Sequence, residues 1–139
     1  VTHLVVRQEM MNRLHALSGS PYEDSIGFSR AIRVGNVISV SGTAPINPDG
    51  STAHPGDLYL QTKTCLFIIE KAISEIGATL KDINRTRIFL KDVTQWELAA
   101  NAHGELFSDI KPASTFVEVS RFIREDWLVE IEADCILNT

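Results

Sequence analysis

The 139-residue chain has two cysteines, four histidines and no concentrated basic stretch, and each shortage removes a class of chemistry. Cys65 and Cys135 lie far apart, so there is no CxxC redox or zinc motif. His3, His15, His54 and His103 have no metal-ligand spacing and no HExxH occurs, which leaves no expected metal. A glycine fingerprint for dinucleotides, a GxxxxGKS/T phosphate loop and a GxSxG nucleophile elbow are also missing, and no cofactor is expected. Thirteen Lys and Arg face 18 Asp and Glu, a net charge of −5, so the chain lacks the basic surface that nucleic acid requires. No apolar run approaches the ~20 residues of a membrane helix, and no membrane association is expected.

What is present is ordinary for a soluble globular protein: 44% hydrophobic and 22% charged residues, in a length that can bury a core. The expectation is one domain over 1–139, with 1–20 as an N-terminal extension. With no signal peptide in view, both thiols are expected to be reduced and buried in a cytoplasmic protein. In RQEMMNRLHAL, Met10, Met11, Leu14 and Leu17 recur at helical spacing and predict a short amphipathic helix. FSRAIRVGNVISVSG predicts a hairpin turning at Gly35-Asn36. A helix is predicted from Asp57 to about Ile76, with Leu66, Ile69, Ile73 and Ile76 on its apolar stripe and Gly77 as its stop. NRTRIFLKD reads as a strand, and Thr94 to Glu97 as a capping box opening a second helix to about Phe107. KPASTFVEV and LVEIEADCIL are the closing strands. The order β-β-α-β-α-β-β, with room for one more strand at the N-terminus, gives an α+β class. Two helices cover one face of a mixed sheet, and the bare face is left for another subunit.

Strand alternation in LVEIEADCIL puts Glu130, Glu132 and Asp134 on one face, with Val129, Ile131, Ala133, Cys135 and Leu137 on the other. Three acids in alternation are either a wet outer face or the wall of a site. Glu130 is expected beside the strand that holds Ser114, Phe116 and Glu118, with Arg30, Arg33 and Arg121 as candidate ion partners. Ser41 ends a strand, precedes Gly42 and stands at the mouth of a loop, as a structural hydroxyl or as part of a site. His103 is two residues from Glu105, nearly opposite on a helix, and is read as a surface or capping residue.

VISVSGTAPINPDG, RTRIFLKDVTQWE, and PASTFVEV followed by VEIEA together resemble the Rid/YjgF family, also called L-PSP endoribonuclease-like, from about Ser20 to Leu137. GSPYE, GFSRAIRVG, HGELF and KPAST are similar to one branch of it in particular. The resemblance implies a chorismate-mutase-like fold, a mixed sheet backed by two helices, assembled as a homotrimer with clefts between subunits. It also implies metal- and cofactor-free hydrolysis of imines or enamines to carbonyl compounds and ammonia. Carried over residue by residue, the water-positioning glutamate falls on Glu130 and the strand-end serine on Ser41. The remaining pocket positions fall on Phe28, Asn101 and Phe116, with Thr115 helping to shape the site. The arginine of the family's PAR motif falls on Ser114, and losing that charge-assisted contact to a carboxylate costs about 1.5–3 kcal/mol. Arg30, on the same face as Phe28, is either a replacement clamp or a structural partner of Glu118 or Glu132. Two functions follow: a deaminase-type hydrolase of small nitrogenous metabolites, or a non-catalytic trimer that binds small molecules. An endoribonuclease is disfavoured by the acidic balance.

Overall fold

The computed structural model describes residues 12–138. It contains six strands, β1 (Arg13–Ala16), β2 (Ala31–Val34), β3 (Val37–Thr43), β4 (Ile83–Leu90), β5 (Ala113–Glu118) and β6 (Val129–Ile136). Three helices accompany them: α1 (Pro21–Ile26), α2 (Leu58–Glu75) and α3 (Trp96–Phe107). All six strands form one sheet in the order β1-β2-β3-β6-β4-β5. Its pairs are antiparallel except β4 with β5, which is parallel.

Alternation builds the sheet as predicted. Ile38 and Val40 of β3 are buried while Val37 and Ser39 are exposed, and Gly35 supplies the positive φ, 62°, at the β2–β3 turn. On β6, Val129, Ile131, Ala133 and Cys135 are at most 1% exposed. They meet the apolar stripe of α2, in which Leu58, Cys65, Leu66, Ile69 and Ile73 are buried. Asp57 caps this helix by accepting a hydrogen bond from the Leu60 amide, and the chain leaves it through Gly77 at φ 94°. α2 and α3 lie on this one face of the sheet. Cys65 and Cys135 are buried and unpaired, as expected, and burial pushes the Cys135 thiol up to about 12, leaving it a small hydrophobe.

Three expectations are corrected and one element is added. Over the described part of the predicted N-terminal helix, Arg13–Ala16 is a strand paired with β2, because the open edge of β2 offers more hydrogen bonds than a short isolated helix can supply. Met10 and Met11 lie outside the described residues. The short helix α1 was not anticipated, although its signals are present. Ser20 accepts from the Tyr22 amide, Pro21 opens the first turn and Gly27 ends the helix at φ 91°. The Thr94–Glu97 capping box does not form. Asp92 instead accepts from both the amide and the hydroxyl of Thr94, starting a 3₁₀ turn (Val93–Gln95) that runs into α3. Finally, β6 is not beside β5. It lies between β3 and β4, and β5 is the outer strand.

Candidate functional site

The central place of β6 separates the fates of its three acids. Opposite Glu132 and Asp134 stand Arg87 and Arg85 of β4, and Arg87 Nη1 reaches Glu132 Oε1 at 3.7 Å and Asp134 Oδ2 at 3.2 Å. These half-exposed pairs are a solvated charge ladder. The expected partners are elsewhere: Arg33 donates to the carbonyls of Gly35 and Ile76, and Arg30 pairs with Glu23. No ion pair of Arg121 with these acids is found among the described residues. Opposite Glu130 stands Phe89, and among the described residues the Glu130 carboxylate has neither an ion pair nor a side-chain hydrogen bond. Burial holds its acidity weaker than that of an ordinary glutamic acid. The nearby Arg30 charge opposes that shift and Glu132 adds to it.

A bulge in β3 opens space for this carboxylate. Between Val40↔Ala133 and Thr43↔Ile131 the register slips, so Ser41 and Gly42 occupy the irregularity next to Glu130. A Cβ on Gly42 would lie 2.7 Å from Glu130 Oε2, so glycine permits the close approach. The Ser41 hydroxyl donates to the Ser29 carbonyl at 2.7 Å, which leaves its oxygen lone pairs to accept from a ligand or water. Ser41, Gly42 and Glu130 line a cavity of about 880 Å³ together with Phe28 and Arg30. Four of the sequence candidates therefore come together here: Phe28, Arg30, Ser41 and Glu130.

Arg30 is 6% exposed and already engaged. Its Nε faces Glu23 Oε2 at 3.4 Å, and its Nη1 donates to the Gly42 carbonyl at 2.6 Å and to the Thr43 hydroxyl at 3.1 Å. Glu23, 3% exposed, also accepts from the amide and hydroxyl of Ser18. The Phe28 ring lies beneath the guanidinium, 5.3 Å from it. This buried pair fastens α1 and the bulge to β2. Glu118 and Glu132, the anticipated structural partners of Arg30, are not bonded to it; Glu118 accepts from the Val93 amide instead.

The other four candidates, Asn101, Ser114, Thr115 and Phe116, do not line the cavity. Ser114, Phe116 and Glu118 pair with Thr86, Ile88 and Leu90, which places them on the helix side of the sheet, opposite to Glu130. Asn101 is exposed on α3, and Thr115 is exposed on the open face. Ser114 is tied to Thr86, Oγ to Oγ1 at 2.7 Å, and Thr86 to His103 Nε2 at 2.9 Å. His103 is thus a buried residue, not a surface or capping one. It packs against Phe107 at 4.5 Å and Phe116 at 5.8 Å between ring centres, and burial lowers its proton affinity. Its spacing was the available signal: Ala99, His103 and Phe107 fall four residues apart on the buried stripe of α3.

Among the described residues no group of three or more His, Cys, Asp or Glu is placed to hold a metal ion, and no helix is long and apolar enough to cross a membrane. The fold defines an α+β protein, a mixed six-stranded sheet with its long helices on one face. Residues 21–137 match the profile of the family described as Endoribonuclease L-PSP, and the chain belongs to that Rid/YjgF family. A RutC family protein of Pyrococcus abyssi is 39% identical over 106 residues, covering 76% of this chain and 83% of that protein. The 3-aminoacrylate deaminase RutC of Acinetobacter baylyi is 32% identical over 101 residues, 73% and 79% of the two chains. A crystal structure from Mycobacterium tuberculosis, of a member of the YjgF/YER057c/UK114 family, superposes with a TM-score of 0.82 at 38% identity, covering 90% of this chain and 99% of that one.

Proposed function

We propose that this protein hydrolyses a small imine or enamine to a carbonyl compound and ammonia, in clefts between the subunits of a homotrimer. The observation that carries the reading is Glu130, a half-buried carboxylate with no ion partner among the described residues, beside the lone pairs of Ser41 at the wall of a cavity. Support also comes from the relative named as a 3-aminoacrylate deaminase. In the reaction, Glu130 takes a proton from a water as its oxygen bonds to the imine carbon. Glu130 returns that proton to the nitrogen, which completes the carbinolamine, then takes the proton of its hydroxyl and delivers it to the same nitrogen as the C–N bond breaks, leaving the carbonyl compound and ammonia. An enamine first accepts a proton on carbon to become the imine. Water and imine supply every atom of carbonyl and ammonia, so no metal or cofactor is needed.

The trimer completes the site. Asn101, Ser114, Thr115 and Phe116 do not line the cavity of their own chain, and a neighbouring copy whose outer strand β5 borders the open face would bring its own set to the cavity. A second reading, a trimer that binds a small molecule without chemistry, draws on the apolar Ile26, Phe67 and Ile123 at the cavity rim, each more than 60% exposed. RNA cleavage is not part of either reading, because Glu130 and Glu132 make the cavity wall acidic.

The test is ammonia release from freshly generated imines and enamines, with and without a carboxylate, by the natural protein and by Glu130→Gln. Release that depends on Glu130 is the expected result. Release unchanged in Glu130→Gln would remove the glutamate from the chemistry, and a monomeric mass in solution would remove the shared cleft.

A further inference from the structure

The charges in place around the cavity specify what kind of molecule it takes, on the reading that Ser114 of one subunit meets the cavity of the next. The two nearby arginines are already engaged. Arg30 is held by Glu23 and by two oxygens of the β3 bulge, and Arg87 is held by Glu132 and Asp134. Lys71 is exposed on α2 at the cavity wall, one helical turn from Glu75, and no ion pair joins the two among the described residues. Beside Arg30, the Glu130 carboxylate has no ion partner among the described residues. Across the sheet the second cluster holds only neutral groups, Thr86, Ser114 and a neutral His103 ring.

That neutral cluster is directional. Thr86 is completely buried, and the hydrogen-bond partners of its hydroxyl are His103 and Ser114. With the ring proton on Nε2, His103 donates to Thr86 and Thr86 donates to Ser114, whose own hydrogen has a long acceptor in the Pro112 carbonyl at 3.4 Å and can turn from it to a ligand carbonyl oxygen. With the proton on Nδ1 the chain reverses, and Ser114 presents lone pairs to an N–H. We propose that the substrate is an uncharged imine or enamine bearing an amide or similar neutral polar group, held by Ser114, rather than a carboxylate anion. His103 acts as a positioning residue that sets which way the Ser114 hydroxyl faces.

The test uses the full chain and two probes of equal size, pyruvate and its neutral counterpart pyruvamide, with dissociation constants read at constant ionic strength. Pyruvamide should bind roughly tenfold more tightly than pyruvate, the scale of one unmade charge-assisted hydrogen bond. Ser114→Arg should reverse the order. His103→Phe keeps a ring against Phe107 and Phe116 but breaks the chain, and should bring the preference within about threefold. His103→Gln, which can still bond Thr86, should retain it, and the His103 ring nitrogen resonances of the natural protein should move on binding pyruvamide. Should the His103 variants fail to fold, Ser114→Ala on the exposed edge strand is expected to lose the preference in their place. Pyruvate binding as tightly as pyruvamide would overturn the proposal, as would a preference untouched by His103→Phe or by Ser114→Ala. If neither probe bound while Glu130-dependent ammonia release from 2-imino acids persisted, the substrate class would be wrong and the deaminase reading would stand. A firm pyruvamide preference with no ammonia from any imine would sustain the class and defeat that reading.

Discussion

The two polar clusters of this sheet are built from opposite materials. Around the β3 bulge the groups are charged, with Glu23 and Arg30 buried together and Glu130 half-buried next to them. Between α3 and the β4–β5 edge the groups are neutral, a threonine, a histidine and a serine joined in series. Burying charge is expensive unless each charge is enclosed by partners. Glu23 and Arg30 meet that condition, with Ser18, Gly42 and Thr43 completing their hydrogen bonds. Glu130 does not, and its incomplete bonding is what leaves it available for chemistry. Hydroxyls and a neutral imidazole are far less costly to bury, so the second cluster can be closed at one end and still present Ser114 to solvent.

The sharpest way to break the comparison is to alter Glu130, which has no ion partner among the described residues. Glu130→Gln should lower kcat/KM by about 10²–10⁴, the range for a lost general base, with the unfolding midpoint nearly unchanged. The enclosed charges should respond the other way. Arg30→Met strands Glu23 in the interior and should cost about 3–5 kcal/mol in a denaturant titration, while Arg30→Met with Glu23→Gln recovers most of it. The neutral cluster should give less: Thr86→Val leaves His103 and Ser114 without their shared partner and should cost about 1–3 kcal/mol.

Titration separates the clusters further. The folded Glu130 binds its proton more tightly than the unfolded one, so its contribution to stability is present below the ordinary carboxylate range and is lost as pH rises through its raised value. Glu130→Gln should flatten that part of a stability–pH curve. His103 has the opposite sense, its depressed affinity contributing stability above the ordinary histidine value that is lost as pH falls through its lowered one. Smallest of all, Arg87→Met removes a half-exposed ladder on the open face and should shift stability by about 0–1 kcal/mol in the isolated chain.

Much of this architecture is legible from local pattern. The alternation of β6, the Gly35 turn, and the bounds of α2 and α3 follow from residue types at fixed spacing, and the structure agrees within one or two residues. Strand order is not local. Nothing within LVEIEADCIL states that it lies between β3 and β4, and so the Arg85 and Arg87 partners could not be foreseen from it. The site divided in the same way. Phe28, Ser41 and Glu130 line one cavity because the loop entering β2, the bulge of β3 and the central strand β6 meet there. Glu23 is hard to read from sequence because its helix is only six residues long, whereas His103 is legible from its place on the buried stripe of α3 and not from its distance to Glu105.

The position of β6 bears on how the chain acquires its shape. β1, β2 and β3 are joined by short-range pairings and can assemble early, and β4 and β5 meet through the α3 crossover. Neither half touches the other edge to edge until Val129–Ile136 inserts between them, pairing Val40 with Ala133 on one side and Thr86 with Ala133 on the other. During synthesis the two halves wait with unpaired edges for a strand that emerges after both, an interval in which chaperone engagement or self-association competes with insertion. Refolding kinetics of a chain in which proline or charge is placed at Ala133 would therefore report on the joining step itself.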